Sequence, residues 1–275
     1  MDKAAESVVE ESIDDEILLT FGVYTADKPS DVVKQFRPVL DVLEVSMSER
    51  LGQDVVIKIE VAATYEDGIA NIVDGSVDFS RFGPASYTEA KGANPDVEVL
   101  AIESEKGEKA FYGIIAVHAD SDIQSVDDLK GGSFAFGDEL STIGRFLSQL
   151  YLYEHGIQAD DLGTYEYLGR HDLVGTAVGA GDFDAGALKE GTFKKLVESG
   201  VPIRELARFS NVTKPWFARA GLSEEILVGL RESLLSLDVP EALEALGQDG
   251  FLAGDDEDYV TIRKAINENR LFFGE

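Results

Sequence analysis

Residues 133–146 read SFAFGDELSTIGRF, and this stretch decides how the chain folds. The apolar run Ser133–Phe136 predicts a short buried strand, and apolar side chains recur at helical spacing from Ile143 to Tyr151. Ser141 and Thr142 therefore lie where a strand turns into a helix. Their hydroxyls are suited to cap a helix, and free N–H groups with the positive end of the helix dipole attract anions. The stretch predicts either a plain helix cap or an anion-binding turn.

Strands and helices alternate on both sides of this turn. The alternation predicts an α/β fold with helices packed on mostly parallel sheets. It occurs twice, which predicts two similar lobes, and the apolar strands at 110–118 and 202–208 are predicted to cross between them. Residues 142–155 are predicted to form one helix, and the chain after 208 to be mostly helical. The predicted divisions are an acidic flexible leader at 1–17, a first lobe at 18–113 plus 205–275, and a second lobe at 114–204.

Two segments of similar sequence support the two-lobe prediction. Residues 72–80 and 177–185 each contain a helix end, a glycine and a strand that begins near an aspartate. Any junction of helix and strand resembles this pattern, so an ordinary junction remains the alternative. Asp78 and Asp184 are predicted to have structural roles as acceptors of backbone N–H groups, and Trp216 to pack inside a lobe or at the hinge.

Charge excludes several classes of partner. The chain has 53 acidic and 24 basic residues among 275, a formal net charge of −29. Nucleic-acid binding requires a basic surface, and an anionic membrane surface repels such a chain. High net charge also favours a monomer. No apolar run reaches the length of about 20 residues that a membrane-spanning helix needs.

The residue inventory argues against redox and metal chemistry. There is no cysteine, so disulfides and thiolate metal ligands are excluded, and the three histidines are too scattered for a zinc motif. No catalytic residue, metal or cofactor is predicted. The acidic N-terminus lacks the features of a signal peptide, which fits either a cytoplasmic protein or a mature form with an added start methionine.

Residues with polar side chains lie at four predicted strand ends. They are Tyr24, the segment 80–87, the Ser141–Thr142 pair and the segment 170–172. In open α/β sheets, ligands bind beyond the carboxyl ends of the strands. These segments offer hydroxyl, ring N–H and backbone N–H donors without an evident nucleophile, as expected of an oxyanion receptor.

Four motifs resemble the phosphonate- and phosphite-binding solute receptors of ABC transporters. They are Gly83–Tyr87 (GPASY), Leu140–Gly144 (LSTIG), Gly169–Asp172 (GRHD) and Gly181–Ala187 (GDFDAGA), in the family's order and approximate spacing. The resemblance extends from about residue 18 to about 230. It implies a type II periplasmic binding protein, with two α/β lobes on a two-strand hinge. It also implies that the phosphorus-centred head of the ligand is held by the Ser-Thr turn, by Tyr24 and Tyr87, and by His171.

The chain departs from the family pattern at several positions. Ile143 stands where the family often has a second serine, so one hydroxyl donor is lost. Arg81 and Arg170 add cations, and an arginine fork matches a tetrahedral oxyanion. The carboxylate that holds an aminoalkyl group in some members has no clear counterpart, Glu190 being the nearest. A small oxyanion such as phosphite, phosphate or methylphosphonate is therefore predicted. The predicted ligand-binding residues are Tyr24, Arg81, Ser86, Tyr87, Ser141, Thr142, Gly144, Arg170, His171 and Glu190.

Structural roles remain the alternative for several of these residues. Tyr87 could pack in the core, His171 could cap the helix that follows, and the two arginines could pair with acids. The predicted function is a periplasmic or extracytoplasmic receptor that closes on its ligand and delivers it to an ABC transporter permease. The alternatives are the same module as a sensor for a histidine kinase, or an enzyme on this fold.

Overall fold

The computed structural model describes residues 16–24 and 29–275, so almost all of the predicted leader at 1–17 lies outside the described residues. The described strands are β1 (Ile17–Tyr24), β2 (Val55–Ala62), β3 (Phe79–Arg81), β4 (Glu98–Ser104), β5 (Ala110–His118), β6 (Ser133–Phe136), β7 (Thr164–Tyr167), β8 (Ala185–Lys189), β9 (Ile203–Val212), β10 (Pro215–Ala218) and β11 (Gly250–Leu252). The described α-helices are α1 (Pro29–Leu51), α2 (Tyr65–Asp74), α3 (Pro84–Ala93), α4 (Ser148–Glu154), α5 (His171–Ala180), α6 (Glu190–Glu198), α7 (Glu224–Leu235), α8 (Pro240–Leu246) and α9 (Val260–Glu268). The remaining helical turns are a π-helix at Thr142–Leu147 and 3₁₀ turns at Val126–Leu129, Ala159–Asp161, Asp256–Tyr259 and Asn269–Phe273.

The strands form two mixed sheets, one in each lobe. Their orders are β11-β4-β10-β3-β1-β2 and β7-β6-β8-β5-β9. In each sheet a first strand lies between two parallel partners: β1 between β2 and β3, and β6 between β7 and β8. An antiparallel strand then follows, β10 beside β3 and β5 beside β8. This shared order confirms the prediction of an α/β fold with two similar lobes.

Helices cover both faces of each sheet, so each lobe has two hydrophobic cores. In the first lobe, α1, α7 and α8 enclose a core around Phe36 and Trp216, and α2, α3 and α9 cover the other face. In the second lobe, a core around Phe134 and Phe136 packs on one face, and α5 and α6 pack on the other. Trp216 is fully buried, which confirms its predicted packing role.

The sequence repeat is a structural repeat. Helix α2 ends at Gly75 and α5 at Gly181, both in the left-handed conformation that glycine adopts readily. Asp78 then accepts from the backbone N–H of Thr20 at 2.8 Å, and Asp184 accepts from that of Ser133 at 2.7 Å. Each carboxylate thus joins the incoming strand to the first parallel strand of its lobe, which confirms the structural role predicted for both.

Three features differ from the sequence-based expectation. The segment predicted as one helix at 142–155 is a π-helix followed by α4. The region after 208 is mostly helical as predicted, but it also contains β10, in the interior of the first sheet, and the edge strand β11. β5 and β9 pair along their length within the second sheet, so the chain passes between sheets at 105–109 and 213–214 rather than inside these strands. A strand stays with the sheet that satisfies its backbone hydrogen bonds.

Candidate functional site

A cavity of about 230 Å³ lies between the two lobes. Both sheets and the hinge segments contribute side chains to its wall. The described lining residues are Val23, Tyr24, Asp31, Val32, Gln35, Phe36, Tyr65, Arg81, Gly83, Pro84, Phe111, Ser141, Thr142, Ile143, His171, Asp172, Lys189, Thr192, Lys195, Leu196, Ser199, Asn211 and Lys214.

The Ser141–Thr142 turn forms one wall of this cavity. Ser141 caps the π-helix, because its hydroxyl accepts from the N–H of Gly144 at 2.9 Å. Gly144 itself packs on the backbone: a Cβ at this position would lie 2.7 Å from the Cα of Gly137, so only glycine fits. Both hydroxyl residues are buried, at 2 % and 4 % exposure. Among the described residues neither hydroxyl has an acceptor for its proton, and both protons are therefore available to a ligand.

Thr142 also contacts the opposite lobe. Its Oγ1 accepts from the backbone N–H of Ala85 at 2.7 Å, in the first turn of α3. The capping residue of α3 is Gly83, which has no side chain to perform this role. A hydroxyl of the second lobe therefore satisfies a helix donor of the first lobe, at the edge of the cavity.

Tyr24 lies on the first-lobe side of the same junction. Its hydroxyl accepts from the N–H of Gly83 at 2.9 Å and forms a 2.9 Å hydrogen bond with Ser86. Its ring stacks on Tyr65, with 3.8 Å between centroids. Burial is the main cause that raises the pKa of Tyr24 to about 12, which keeps the hydroxyl neutral and able to donate. Ser86 is buried behind Tyr24 and does not line the cavity.

Tyr87 points away from the cavity. Its hydroxyl donates to Asp256 at 3.0 Å, and its ring packs on Phe217 and Tyr259. Burial, followed by the charge of Asp256, raises the pKa of Tyr87 well above the ordinary value. This placement matches the core-packing alternative rather than contact with a ligand in the cavity.

The two arginines are both engaged by carboxylates. Arg81 lines the cavity, but its Nε and Nη2 donate to the two oxygens of Glu103 at 2.7 and 2.9 Å. Arg170 lies just before α5 and pairs in the same bidentate manner with Asp172. Arg170 does not line the cavity, whereas Asp172 and the buried His171 do.

Glu190 also lies outside the cavity wall. It forms ion pairs with Lys194 at 3.0 Å and with Arg208 at 3.7 Å. The residue before it, Lys189, does line the cavity at the carboxyl end of β8. Sequence reasoning selected the carboxylate and missed the lysine, although both occupy the same junction between strand and helix.

Several other residues line the cavity although the sequence analysis did not predict them as ligand-binding residues. Asn211 lies near the end of β9, beyond the strand predicted at 202–208, and Lys214 lies in the passage to β10, a strand that was not predicted. Tyr65 begins α2 after β2, so it lies at a strand end of the kind that identified Tyr24. Lys195 lies one turn beyond Thr192 on α6.

The cavity wall is positive in an acidic protein. The described lining has four cations, Arg81, Lys189, Lys195 and Lys214, against the carboxylates Asp31 and Asp172, a formal charge of +2. The chain as a whole has a charge of −29. A concave site with hydroxyl donors, buried aromatic rings and local positive charge is suited to a small anion.

Two kinds of element are absent from residues 16–24 and 29–275, the described part of the chain. No group of three or more His, Asp or Glu side chains there could hold a metal ion. None of the described helices is long and apolar enough to cross a membrane.

The fold is that of a two-lobed α/β protein with a cavity between its lobes, and the described wall of this cavity has a positive formal charge. Residues 21–259 match the family model of the phosphonate periplasmic substrate-binding proteins of ABC transporters. The chain belongs to this family, which confirms the resemblance in the sequence motifs. Members of this family are substrate-binding proteins of transporters. The alternative of a sensor for a histidine kinase therefore gains no support from the family.

Known relatives agree with this assignment. The probable ABC transporter phosphite binding protein PhnD1 of Prochlorococcus marinus is 23% identical over 86% of this chain and 87% of its own. The phosphate-import protein PhnD of Mycolicibacterium smegmatis is 26% identical, and the match spans 61% of this chain and 54% of that protein.

Solved structures show the same fold. A structure of Prochlorococcus marinus PhnD1 in complex with methylphosphonate has a TM-score of 0.79 at 21% identity, covering 91% of this chain and 97% of that one. A binding protein component of an ABC phosphonate transporter from Pseudomonas aeruginosa also has a TM-score of 0.79, at 20% identity. The match covers 94% of this chain and 88% of that one.

Proposed function

We propose that this protein captures a tetrahedral phosphorus oxyanion in the cavity between its lobes and delivers it to an ABC transporter permease. The ligand class is phosphite, phosphate or a phosphonate. The Ser141–Thr142 turn carries the proposal, because two buried hydroxyls there present unused protons to the cavity of a chain that belongs to a phosphonate-binding family.

We assign direct contacts to five residues. Ser141, Thr142 and Tyr24 donate from their hydroxyls, and His171 donates from its ring. Hydrogen bonds to a charged ligand are worth about 1.5–3 kcal/mol each. Arg81 contributes through Nη1, which lies outside its pair with Glu103.

Three more of the predicted residues are assigned supporting roles. Ser86 orients Tyr24, Gly144 permits the tight turn, and Arg170 holds Asp172 beside His171. Tyr87 and Glu190 are left out of the contact set because of their positions outside the cavity wall.

The direct test is calorimetry with phosphite, phosphate and methylphosphonate. The S141A/T142A variant should bind the ligand more weakly by about 2–5 kcal/mol. It loses two hydrogen bonds to a charged ligand, and their free energies do not add fully. The matched control is T64A/S223A, because Thr64 and Ser223 are helix caps outside the cavity that accept from the backbone N–H three residues on, as Ser141 does. Unchanged affinity in S141A/T142A, or an equal loss in the control, would remove this turn from the site.

Closure of the lobes on the ligand is the second part of the proposal. Hinge closure is a common response when a ligand binds between lobes. Small-angle scattering should give a smaller radius of gyration with saturating ligand than without it. Superimposable curves would contradict closure while leaving binding itself intact.

The rest of the proposal concerns the fate of the ligand, the oligomeric state and the cellular location. We propose that the ligand is released unchanged, that the protein acts as a monomer, and that it works in the periplasm or on the outer side of the membrane. Phosphorus NMR of the ligand after long incubation checks for turnover, and light scattering checks the mass. A new phosphorus signal would indicate an enzyme.

A further inference from the structure

The sheet order of the second lobe arranges the cavity residues in a line. Along the sheet edge the order is β7, β6, β8, β5 and β9. His171 follows β7, Ser141 and Thr142 follow β6, Lys189 ends β8, and Phe111 and Asn211 are paired at the edge between β5 and β9. The cavity therefore runs along the whole edge, from an oxyanion end at β7 and β6 to a hinge end at β5 and β9.

This line is longer than a small oxyanion. Neighbouring strands lie about 4.8 Å apart, so β6 and β9, three spacings apart, are separated by about 14 Å. A phosphite or methylphosphonate held at the Ser141–Thr142 turn fills one end only. The hinge end remains for another part of the ligand.

The chemistry of the hinge end differs from that of the oxyanion end. Two lysines line the cavity from segments next to Phe111 and Asn211. Lys189 ends β8, where it is paired with Gly113 of β5. Lys214 follows β9, with its Nζ 5.3 Å from the centroid of the Phe111 ring. Asn211 is 4 % exposed, and among the described residues neither its Oδ1 nor its Nδ2 has a hydrogen-bond partner. A buried amide without partners is costly, which indicates that a ligand group satisfies it.

Apolar side chains also line the cavity beside these polar groups. Ile143 follows the Ser-Thr turn, Phe36 faces the cavity from α1, and Phe111 comes from β5. A short carbon chain can lie against such a wall, whereas a second charged group has no partner among these three side chains.

We propose that the preferred ligand is a phosphonate, or a phosphate ester, whose organic substituent ends in a carboxylate-class anion. This inference rests on the proposed function: the phosphorus head binds at Ser141 and Thr142, and the carboxylate binds at Lys189, Lys214 and Asn211. The amide Nδ2 and the two ammonium groups are donors that suit a carboxylate.

An ammonium group on the ligand is disfavoured by the same arrangement. Of the two carboxylates in the described lining, Asp172 lies at the β7 end and is held by Arg170 through both oxygens. Asp31 is exposed in the first turn of α1. A positive substituent at the hinge end would meet two lysines.

A ligand series measures the distance between the two ends. Affinities for phosphonoacetate, 3-phosphonopropionate and 4-phosphonobutyrate are compared by calorimetry with those for ethyl-, propyl- and butylphosphonate and for 2-aminoethylphosphonate. At least one carboxylated ligand should bind tenfold or more tightly than its alkyl counterpart. If the alkylphosphonates bind and no carboxylated ligand is tighter, or if the aminoethyl compound is tightest, the inference is wrong while the proposed function stands. If no phosphorus compound binds, the proposed function itself fails.

Variants locate the second subsite. K189M and K214M should each reduce affinity for the best carboxylated ligand about tenfold and change methylphosphonate affinity by twofold or less. The matched control is K194M, which removes the same charge at an exposed lysine paired with Glu190 outside the cavity wall. N211L should act like the lysine variants if it folds. Equal effects of K189M, K214M and K194M would show that only net charge matters and would overturn the assignment.

Discussion

At the residue scale, the ion pair of Arg81 with Glu103 shows that a cation in the cavity wall can have a structural role. Glu103 is 1 % exposed and also accepts from Trp216 Nε1 at 3.1 Å. The guanidinium of Arg81 lies 5.2 Å from the centroid of the Phe36 ring. A buried carboxylate with these contacts depends on its cation, so the first role of Arg81 is to neutralise Glu103.

Removal of this cation should destabilise the fold. We expect R81Q to reduce the free energy of unfolding by about 3–5 kcal/mol, because a buried charge is left without its partner. Urea denaturation provides the measurement. The matched control is R231Q, whose partner Glu98 is exposed and whose pair should contribute at most about 1 kcal/mol. The double variant R81Q/E103Q should recover part of the loss. A loss below 1 kcal/mol in R81Q would contradict the structural role.

Tyr24 should make stability depend on alkaline pH. Its pKa is raised to about 12 in the folded protein, from an ordinary value near 10 in the unfolded chain. Its contribution is therefore complete below pH 10 and is lost as pH rises to 12, because the unfolded state releases the proton first. The free energy of unfolding should fall by roughly 2–3 kcal/mol more in the wild type than in Y24F over this interval. Parallel stability curves for the two proteins would contradict burial of this hydroxyl.

At the element scale, the first turn of α3 joins the lobes. Its donors at Gly83 and Ala85 are satisfied by Tyr24 from the same lobe and by Thr142 from the other. The two hydroxyls that hold the helix also line the cavity. A shift of α3 relative to the π-helix would therefore move these hydroxyls, and we expect lobe position to be coupled to ligand binding in this way.

Gly83 tests this coupling without backbone strain. A Cβ at this position would lie 3.2 Å from Thr142 Oγ1 and 3.4 Å from the Tyr24 hydroxyl, at an ordinary φ of −66°. We expect G83A to weaken methylphosphonate binding about tenfold, since small displacements of binding groups have large effects. G92A is the matched control, because its Cβ meets nothing within 4 Å on the same helix. Calorimetry that gives equal affinities for G83A and G92A would exclude the coupling.

At the scale of the whole molecule, the C-terminal segment adds a third connection between the lobes. α9 packs on α3 of the first lobe and on the π-helix of the second. Phe272 then enters the core of the second lobe, and Asn269 donates to Gln149 at 2.8 Å. The segment also contacts both hinge passages, since Tyr259 donates to the carbonyl of Thr213 and Asp258 accepts from Lys109. We therefore expect it to limit how far the lobes can separate.

Net charge should control the rate of ligand capture. The charge of −29 repels anions at long range, whereas the positive lining acts at short range. Salt at 0.15 M screens interactions beyond about 8 Å, and buried contacts are screened much less. We expect the association rate of methylphosphonate to rise between low and physiological salt in stopped-flow measurements. A rate that falls with salt would show that the cleft attracts anions over a longer range than the net charge repels them.

Much of the fold was predictable because it depends on near neighbours in sequence. Strand and helix periodicity identified the alternation in both lobes, and the glycines at 75 and 181 marked equivalent helix ends. β10 escaped prediction because it has four residues and begins at a proline, and its partners β3 and β4 lie more than one hundred residues earlier. A short strand of this kind is stabilised by the sheet it enters rather than by its own pattern.

The sequence by itself determined the family, the two-lobed α/β class and the position of the Ser141–Thr142 turn, because each depends on motifs and local backbone preferences. Only the tertiary structure decided which polar groups face the cavity. It paired Arg81 with Glu103 and Tyr87 with Asp256, and it brought Lys214 to the wall. The physical reason is that ion pairing and burial depend on side chains that are distant in sequence and become neighbours only when the strands are ordered into sheets.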